Sequence, residues 1–251
     1  MKTEEFCALL GDVNEKYIRG ARAPRGAKRW YRRGWAKWGA AACLCLLLAS
    51  IPLFGRGGEE IALSAASSGV TARYVESAPD VSSKADLVWL SEEELFTEWD
   101  TAIFKGTVTR IRNIRLDFDG EAAYRAVAEI AVEKVYRGDC AAGETVSILL
   151  PCPVSSGIWV EDTETASAMR EGMTGIFMPM AYGADSVWQQ NGAILALRDL
   201  APYGLADGLR WVFLETEDGL LFAREAYKGA AGAETLGEIE AYILQMLESL
   251  E

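Results

Sequence analysis

The chain has 251 residues and a formal net charge of −12, and this charge is divided unevenly along it. Residues 1–37 carry ten Lys/Arg and four Asp/Glu, a balance of +6, whereas the remainder carries fifteen and thirty-three, a balance of −18. The acidic remainder disfavours nucleic acid as a partner. There is no histidine, which excludes histidine-assisted serine or cysteine catalysis within the chain.

An uninterrupted apolar run follows the basic segment. Residues 38–54, "WGAAACLCLLLASIPLF", contain no charged side chain. Seventeen residues in a helix cover about 25 Å, close to the thickness of a hydrocarbon core. A snorkelling lysine just ahead of the run lengthens the span to about 30 Å. We therefore predict a transmembrane helix over 38–54, anchored in the lipid bilayer by Trp35, Lys37, Trp38 and Phe54.

The basic flank sets the predicted orientation. Because Lys and Arg stay on the cytoplasmic side, the N-terminus is expected in the cytoplasm and the C-terminal domain outside the cell membrane. Two alternatives stay open: a signal peptide cleaved around Ser64 to Ala66, which would release the outer part, and a soluble core helix.

A short amphipathic helix is predicted in the cytoplasmic segment, within residues 3–21. A lone helix of this length is marginal in water, so its apolar face is expected to dock on a cytoplasmic protein partner. A frayed tail is the alternative. The residues of the predicted partner-binding face are Phe6, Leu9, Leu10, Val13 and Tyr17.

The first 50 residues also carry a resemblance. The stretch "ALLGDVNEKYIRGA", the basic segment after it, and "WAKWGAAACLCLLL" resemble single-pass membrane proteins of gut-dwelling Firmicutes. Some of those proteins are encoded with extracytoplasmic-function sigma factors. The resemblance implies a sensor or anti-sigma role, with a sigma factor as the cytoplasmic partner.

Beyond the membrane, small and polar residues from 55 to 88 predict a tether with a short strand around Val70 to Val75. Ser91 and Glu94 have the spacing of a capping box, which predicts a short helix. Two alternating stretches then predict a long hairpin, with Asp119-Gly120 at its tip. The first stretch is expected to keep one alternation from Ile103 to Ile111.

Shorter elements complete the predicted outer domain. Strands are expected in "ETVSILLP", "MTGIFMPMAY", "GAILAL", "LRWVFLE" and "GLLFARE", and helices in "EDTETASAMREG" and at the C-terminus. The apolar stripe of the C-terminal helix is expected to pack on the sheet, and it consists of Leu236, Ile239, Ile243, Leu247 and Leu250. A long first hairpin, a third strand, a helix and closing strands predict a mainly β fold with helices, an OB-like Greek-key barrel. The predicted domains are 1–37 cytoplasmic, 38–54 transmembrane, 55–88 tether, and 89–251 barrel with a C-terminal helix.

The barrel prediction has its own resemblance, over residues 100 to 182. The phrases "TAIFKGTVTRI", "AEIAVEKVYRGDCAAGETVSILL" and "REGMTGIFMPM" resemble netrin-like and metalloproteinase-inhibitor modules. The resemblance implies an OB-type barrel and carries no inhibitory function, because the inhibitory group of those modules is a free N-terminal cysteine.

Barrels of this type bind ligands at their loops, and two loops contain exposed-looking aromatic residues. Candidate ligand residues are Trp159 and Asp162 in one loop and Tyr182 and Trp188 in the other. The acidic residues beside Trp159 suit a cation or the face of a sugar, and a solvated loop is the alternative. The ligand itself stays unknown.

Two further patterns contain residues that could bind calcium or form a disulfide. The fragment from Asp117 to Glu121 lacks most ligands of a calcium loop, so a hairpin turn is favoured. A strand between Cys140 and Cys152 would hold them roughly 20 Å apart, so two separate thiols are favoured over a disulfide. No metal site or cofactor is predicted.

The sequence thus favours a membrane-anchored extracytoplasmic binding or sensing protein that signals to a cytoplasmic partner, and no enzyme activity. One alternative is a surface-anchored structural or adhesion module without signalling. The other is a hydrolase that uses a pair of acidic residues.

Overall fold

The structure is a computed structural model, which describes residues 58–79, 88–154 and 162–250. These residues belong to one compact unit that starts at Gly57. The predicted transmembrane helix, its four anchor residues and the predicted partner helix lie outside the described residues. Within the described ranges, no helix is both long and apolar enough to cross a membrane.

The described residues form mainly β structure. The strands are β1 (Val70–Val75), β2 (Ile103–Phe118), β3 (Glu121–Arg137), β4 (Thr145–Leu150), β5 (Thr174–Phe177), β6 (Met180–Ala181), β7 (Val187–Gln190), β8 (Ala193–Ala196), β9 (Tyr203–Gly204), β10 (Val212–Thr216) and β11 (Gly219–Leu221). The helices are α1 (Glu94–Thr97), α2 (Glu164–Ala168) and α3 (Leu236–Leu250). The strands and helices predicted above between residues 70 and 250 are confirmed, with bounds that differ by a few residues, except that the single strand predicted over "MTGIFMPMAY" is divided into β5 and β6.

The long hairpin of β2 and β3 is the backbone of the fold. Its tip has positive φ angles of 51° at Asp119 and 93° at Gly120, as expected for a turn that matches the twist of its strands. The Gly120 amide donates to Asp117 Oδ1 at 2.8 Å. The acidic residues at this tip therefore build the favoured hairpin turn.

The larger sheet has the strand order β11-β10-β5-β2-β3-β4-β9-β6, and β1 pairs with the far half of β2. Its pairs are antiparallel except for β4 and β9. The sheet curls, so that β6 at one end of this order meets the segment just before β2. There the Ala102 amide donates to the Pro179 carbonyl at 2.9 Å, and the Ala181 amide donates to the Asp100 carbonyl at 3.2 Å.

A register shift between Val108 and Arg110 divides β2 into two halves. Phe104 and Val108 pack in the main core on one face of the sheet, whereas Ile114 and Phe118 pack in a second core. An extra residue at a β-bulge moves the side chains that follow it to the opposite face. The pairing also shifts between Ile103 and Phe104 and between Lys105 and Gly106, and both Ile103 and Phe104 are buried in the main core. The single alternation predicted from Ile103 to Ile111 is therefore wrong at its start and after Val108.

The two cores are closed by different elements. α3 covers the main core with its predicted apolar stripe, of which Leu236, Ile239 and Ile243 are buried. β1, β7 and β8 contribute to the second core. The described part of the predicted tether, 58–79, is therefore part of the folded unit, and its predicted strand is confirmed as β1.

Candidate functional site

The structure brings two of the four predicted ligand residues together. Tyr182 and Trp188 both pack against the second core, and Arg125 interacts with both. The Arg125 guanidinium lies 4.4 Å from the centre of the Trp188 ring, and the Trp188 and Phe118 rings are 4.8 Å apart. Burial raises the pKa of Tyr182 to about 12, although Arg125 opposes this shift. Both aromatic side chains therefore have a packing role in the structure.

The other two predicted residues lie in the first loop. Trp159 is outside the described residues. Asp162 is half-buried, adopts a φ of 62°, and lies directly ahead of the segment that begins α2. Cys140 and Cys152 are free thiols, as the sequence favoured. Burial raises the pKa of both thiols.

A different surface offers a groove of about 780 Å³. Three segments line it: residues 89–92 ahead of α1, residues 209–210 ahead of β10, and a stretch within 222–228 after β11. We call this feature the Trp89 groove. Its volume lies in the range of about 300–1,000 Å³ that is typical of small-molecule sites.

Trp89 is the most exposed large hydrophobic side chain among the described residues, at 82%, and its neighbour Val88 is 65% exposed. The cause is local. Ser91 and Glu94 form the predicted capping box: the Ser91 amide donates to Glu94 Oε2 at 2.6 Å, and the Glu94 amide donates to Ser91 Oγ at 3.3 Å. The box fixes Leu90 against the main core, in the manner of a hydrophobic staple. Trp89, one position earlier, is left at the surface.

The wall of the groove that contains Phe222 and Arg224 is held by aromatic and arginine contacts. Phe222 is buried and lies 5.3 Å from the ring of Phe213. The Arg224 guanidinium lies 4.6 Å from the centre of the Phe222 ring. One of its nitrogens, Nη1, also donates to the carbonyls of Ala231 and Ala233, at 2.7 and 2.8 Å. This wall is therefore fixed before any ligand arrives.

A buried ion pair connects the groove to the main core. Arg210 and Asp207 are each only 8% exposed, and Arg210 Nη2 lies 2.7 Å from Asp207 Oδ2. The same carboxylate accepts hydrogen bonds from the Leu209 amide and from the Trp211 indole, at 2.9 and 2.8 Å. Arg210 Nη1 donates to the Val88 carbonyl at 2.9 Å, so the pair holds the backbone beside Trp89 in place.

Glu92 fixes the end of the groove that lies nearest to α3. Its Oε1 atom accepts hydrogen bonds from the Gly229 amide at 2.8 Å and from the Tyr242 hydroxyl at 2.6 Å. Burial, together with this hydrogen bond to a carboxylate, raises the pKa of Tyr242. Within the described residues, Glu92 Oε2 accepts no hydrogen bond.

No protein-family model, curated protein or solved structure matches this chain. Its function is therefore inferred from the chemistry of its surfaces.

A second groove, of about 800 Å³, lies where β1 and β5 leave part of β2 uncovered. One of its cations, Arg112, is already engaged by Glu59 at 3.5 Å and Glu129 at 3.6 Å, and it stacks on Tyr74 at 3.6 Å. These contacts hold β1 against the hairpin. The Trp89 groove has instead an aromatic side chain that is 82% exposed and that no contact with another described residue explains.

Sequence reasoning missed Trp89, although a signal for it exists. Three apolar residues, Val88 to Leu90, precede the capping box directly, and a staple uses only the last of them. The boundary between predicted tether and barrel was placed at this point, so Trp89 received no role.

Proposed function

We propose that this chain is a single-pass membrane protein whose extracytoplasmic domain binds a ligand in the Trp89 groove. The uncharged run 38–54 and its basic flank support the anchor and its orientation. The observation that carries the binding role is the 82% exposed Trp89 at a fixed groove of about 780 Å³. Exposing an indole costs solvation free energy unless a ligand covers it.

We further propose that the curled sheet is an OB-like Greek-key barrel. The path β2-β3-β4-β9-β6 returns to the start of β2, β4 and β9 run parallel, and α2 lies between β4 and β5 in the chain. This arrangement agrees with a five-stranded barrel of that type. In this view β10, β11 and α3 are additions, and the Trp89 groove lies where these additions meet the segment before α1.

Signalling is the second part of the proposal. The apolar face of the N-terminal helix, with Phe6, Leu10 and Tyr17 among its residues, is proposed to dock on a cytoplasmic protein such as a sigma factor. A pull-down with residues 1–37 tests it. Recovery of one specific partner supports signalling, and its loss with Leu10→Asp shows that the apolar face is used. No specific partner would leave only the anchoring role.

Ligand binding is tested with the full-length protein in nanodiscs, screened against chemically diverse small molecules by saturation-transfer NMR. Hits are expected to bind the wild type and to be lost in Trp89→Ala, whose melting temperature should not change because this side chain is mostly exposed. The matched control is Val187→Ala, which removes a 39% exposed apolar side chain that does not line the groove. Hits that bind Trp89→Ala as well as the wild type would refute the site.

The orientation is tested by labelling intact cells with a membrane-impermeant maleimide. In a background without other cysteines, Ser77→Cys should be labelled and Thr3→Cys should not. Labelling of Thr3→Cys in intact cells would show that the N-terminus lies outside.

A further inference from the structure

The lining of the Trp89 groove also indicates the chemical class of its ligand. We infer that the groove binds a neutral saccharide, an inference that rests on the proposed binding function. It depends on three features of the groove: the exposed indole, the balance of charge, and the arrangement of free donors and acceptors.

The first feature is the indole of Trp89. The face of an aromatic ring carries partial negative charge, which attracts the weakly positive C–H groups on the face of a sugar ring. Such a contact needs a flat and accessible indole, and the 82% exposure of Trp89 provides one. Trp188, in contrast, has Arg125 against its ring and Phe118 beside it.

The second feature is the balance of charge. Two carboxylates, Glu92 and Glu225, and two cations, Arg224 and Lys228, line the groove. The fifth charge, on Arg210, is cancelled by Asp207 at 2.7 Å. The groove therefore has no excess of either sign to select an anion, a cation or a charged headgroup. A neutral ligand needs no such excess of charge in order to bind.

The third feature is that the polar groups supply both donors and acceptors. Among the described residues, Lys228 and Glu225 form no hydrogen bond or ion pair through their side chains, and Glu92 Oε2 accepts no hydrogen bond. An ammonium donates only and a carboxylate accepts only, whereas each sugar hydroxyl does both. A polyhydroxylated ligand satisfies these groups together, and the volume of about 780 Å³ accommodates more than one sugar ring.

The experiment measures binding of chitotetraose, cellotetraose and maltotetraose to the full-length protein in nanodiscs by isothermal titration calorimetry. We expect at least one of these neutral oligosaccharides to bind. Trp89→Ala should weaken it about tenfold or more, Trp89→Phe less, and Val187→Ala not at all. Glu225→Gln and Lys228→Met should each weaken it a few-fold.

Salt separates a saccharide from an ionic ligand. Because a neutral ligand carries no charge to screen, its affinity should change less than about twofold between about 50 and about 500 mM NaCl. A steep loss of affinity with salt, or unchanged binding to Trp89→Ala, would overturn the inference.

The two proposals fail in different ways. If the small-molecule screen yields ligands that depend on Trp89 while none of the three oligosaccharides binds, the saccharide inference is wrong and the binding function stands. If no compound of any class depends on Trp89, both are wrong.

Discussion

Removing the carboxylate of Asp207 is expected to be the most damaging single polar substitution near the groove. In Asp207→Ala, Arg210 keeps its charge in a site where it is only 8% exposed, and it loses the partner at 2.7 Å. The Leu209 amide and the Trp211 indole lose their acceptor at the same time.

The magnitude follows from this geometry. Leaving one member of a buried ion pair uncompensated costs about 3–5 kcal/mol. A domain of this size has a free energy of unfolding of about 5–15 kcal/mol, so about a fifth or more of it would be lost. At about 2–4 °C per kcal/mol, the melting temperature should fall by about 6–20 °C. Binding at the groove should also weaken, because Arg210 holds the Val88 carbonyl.

Urea denaturation of the full-length protein in nanodiscs, followed by tryptophan fluorescence, measures the loss. Glu215→Ala is the matched control: its carboxylate is exposed on β10, and its removal should change stability by less than about 0.5 kcal/mol. Adding Arg210→Met to Asp207→Ala should recover part of the loss, since the orphaned charge is then gone. A loss below about 1 kcal/mol in Asp207→Ala would show that Arg210 is solvated, contrary to its burial.

Three further predictions concern the rest of the domain. Ile243→Ala should lower the free energy of unfolding by about 2–5 kcal/mol in a denaturation experiment, because this α3 side chain is fully buried. Leu244→Ala should lower it little, because the Leu244 side chain is 41% exposed. Equal effects of the two substitutions would contradict the packing of α3. Burial alone would raise the pKa of Asp199, but hydrogen bonds from Ser67 and Ser64 outweigh this effect and keep the pKa below its ordinary value of 3.8. The hydrogen bonds from the two serines to the Asp199 carboxylate are therefore present at neutral pH and are lost as pH falls through that lowered pKa. Asp199→Asn should therefore lower the melting temperature at pH 7 and speed hydrogen exchange of the Ser64 amide. The difference in melting temperature between the variant and the wild type should narrow below pH 3.8, and a difference independent of pH would contradict the prediction. The buried Cys152 should react with a maleimide only after unfolding, as peptide mass spectrometry can show, and fast labelling of the folded protein would contradict its burial.

Local chemistry explains which elements could be predicted. The hairpin tip at Asp119 and Gly120, the capping box at Ser91 and the α3 stripe each depend on residues a few positions apart, and each is confirmed. The bulge after Val108 has no such local signal. It is visible only in the pairing with β3 and in the two separate cores that the halves of β2 enter.

The candidate site also depends on contacts that the local sequence does not predict. Trp188 lies on β7 in a stretch rich in polar residues, which favours exposure, but Phe118, 70 positions earlier in the chain, packs against it near the hairpin tip. The Trp89 groove depends on contacts between residues that are still farther apart in the chain: the Tyr242 hydroxyl donates a hydrogen bond to Glu92, 150 positions earlier. Neither arrangement follows from spacing along the chain, because each is set by the way the sheet curls and α3 returns.

The most direct test of the account is an experimental structure of the protein with an oligosaccharide bound, chitotetraose being the first choice. The account predicts a sugar ring stacked on the indole of Trp89, with hydroxyl groups within hydrogen-bond distance of Glu92, Glu225 or Lys228. A sugar seated instead against Trp188 and Arg125, with Trp89 uncovered, would contradict it.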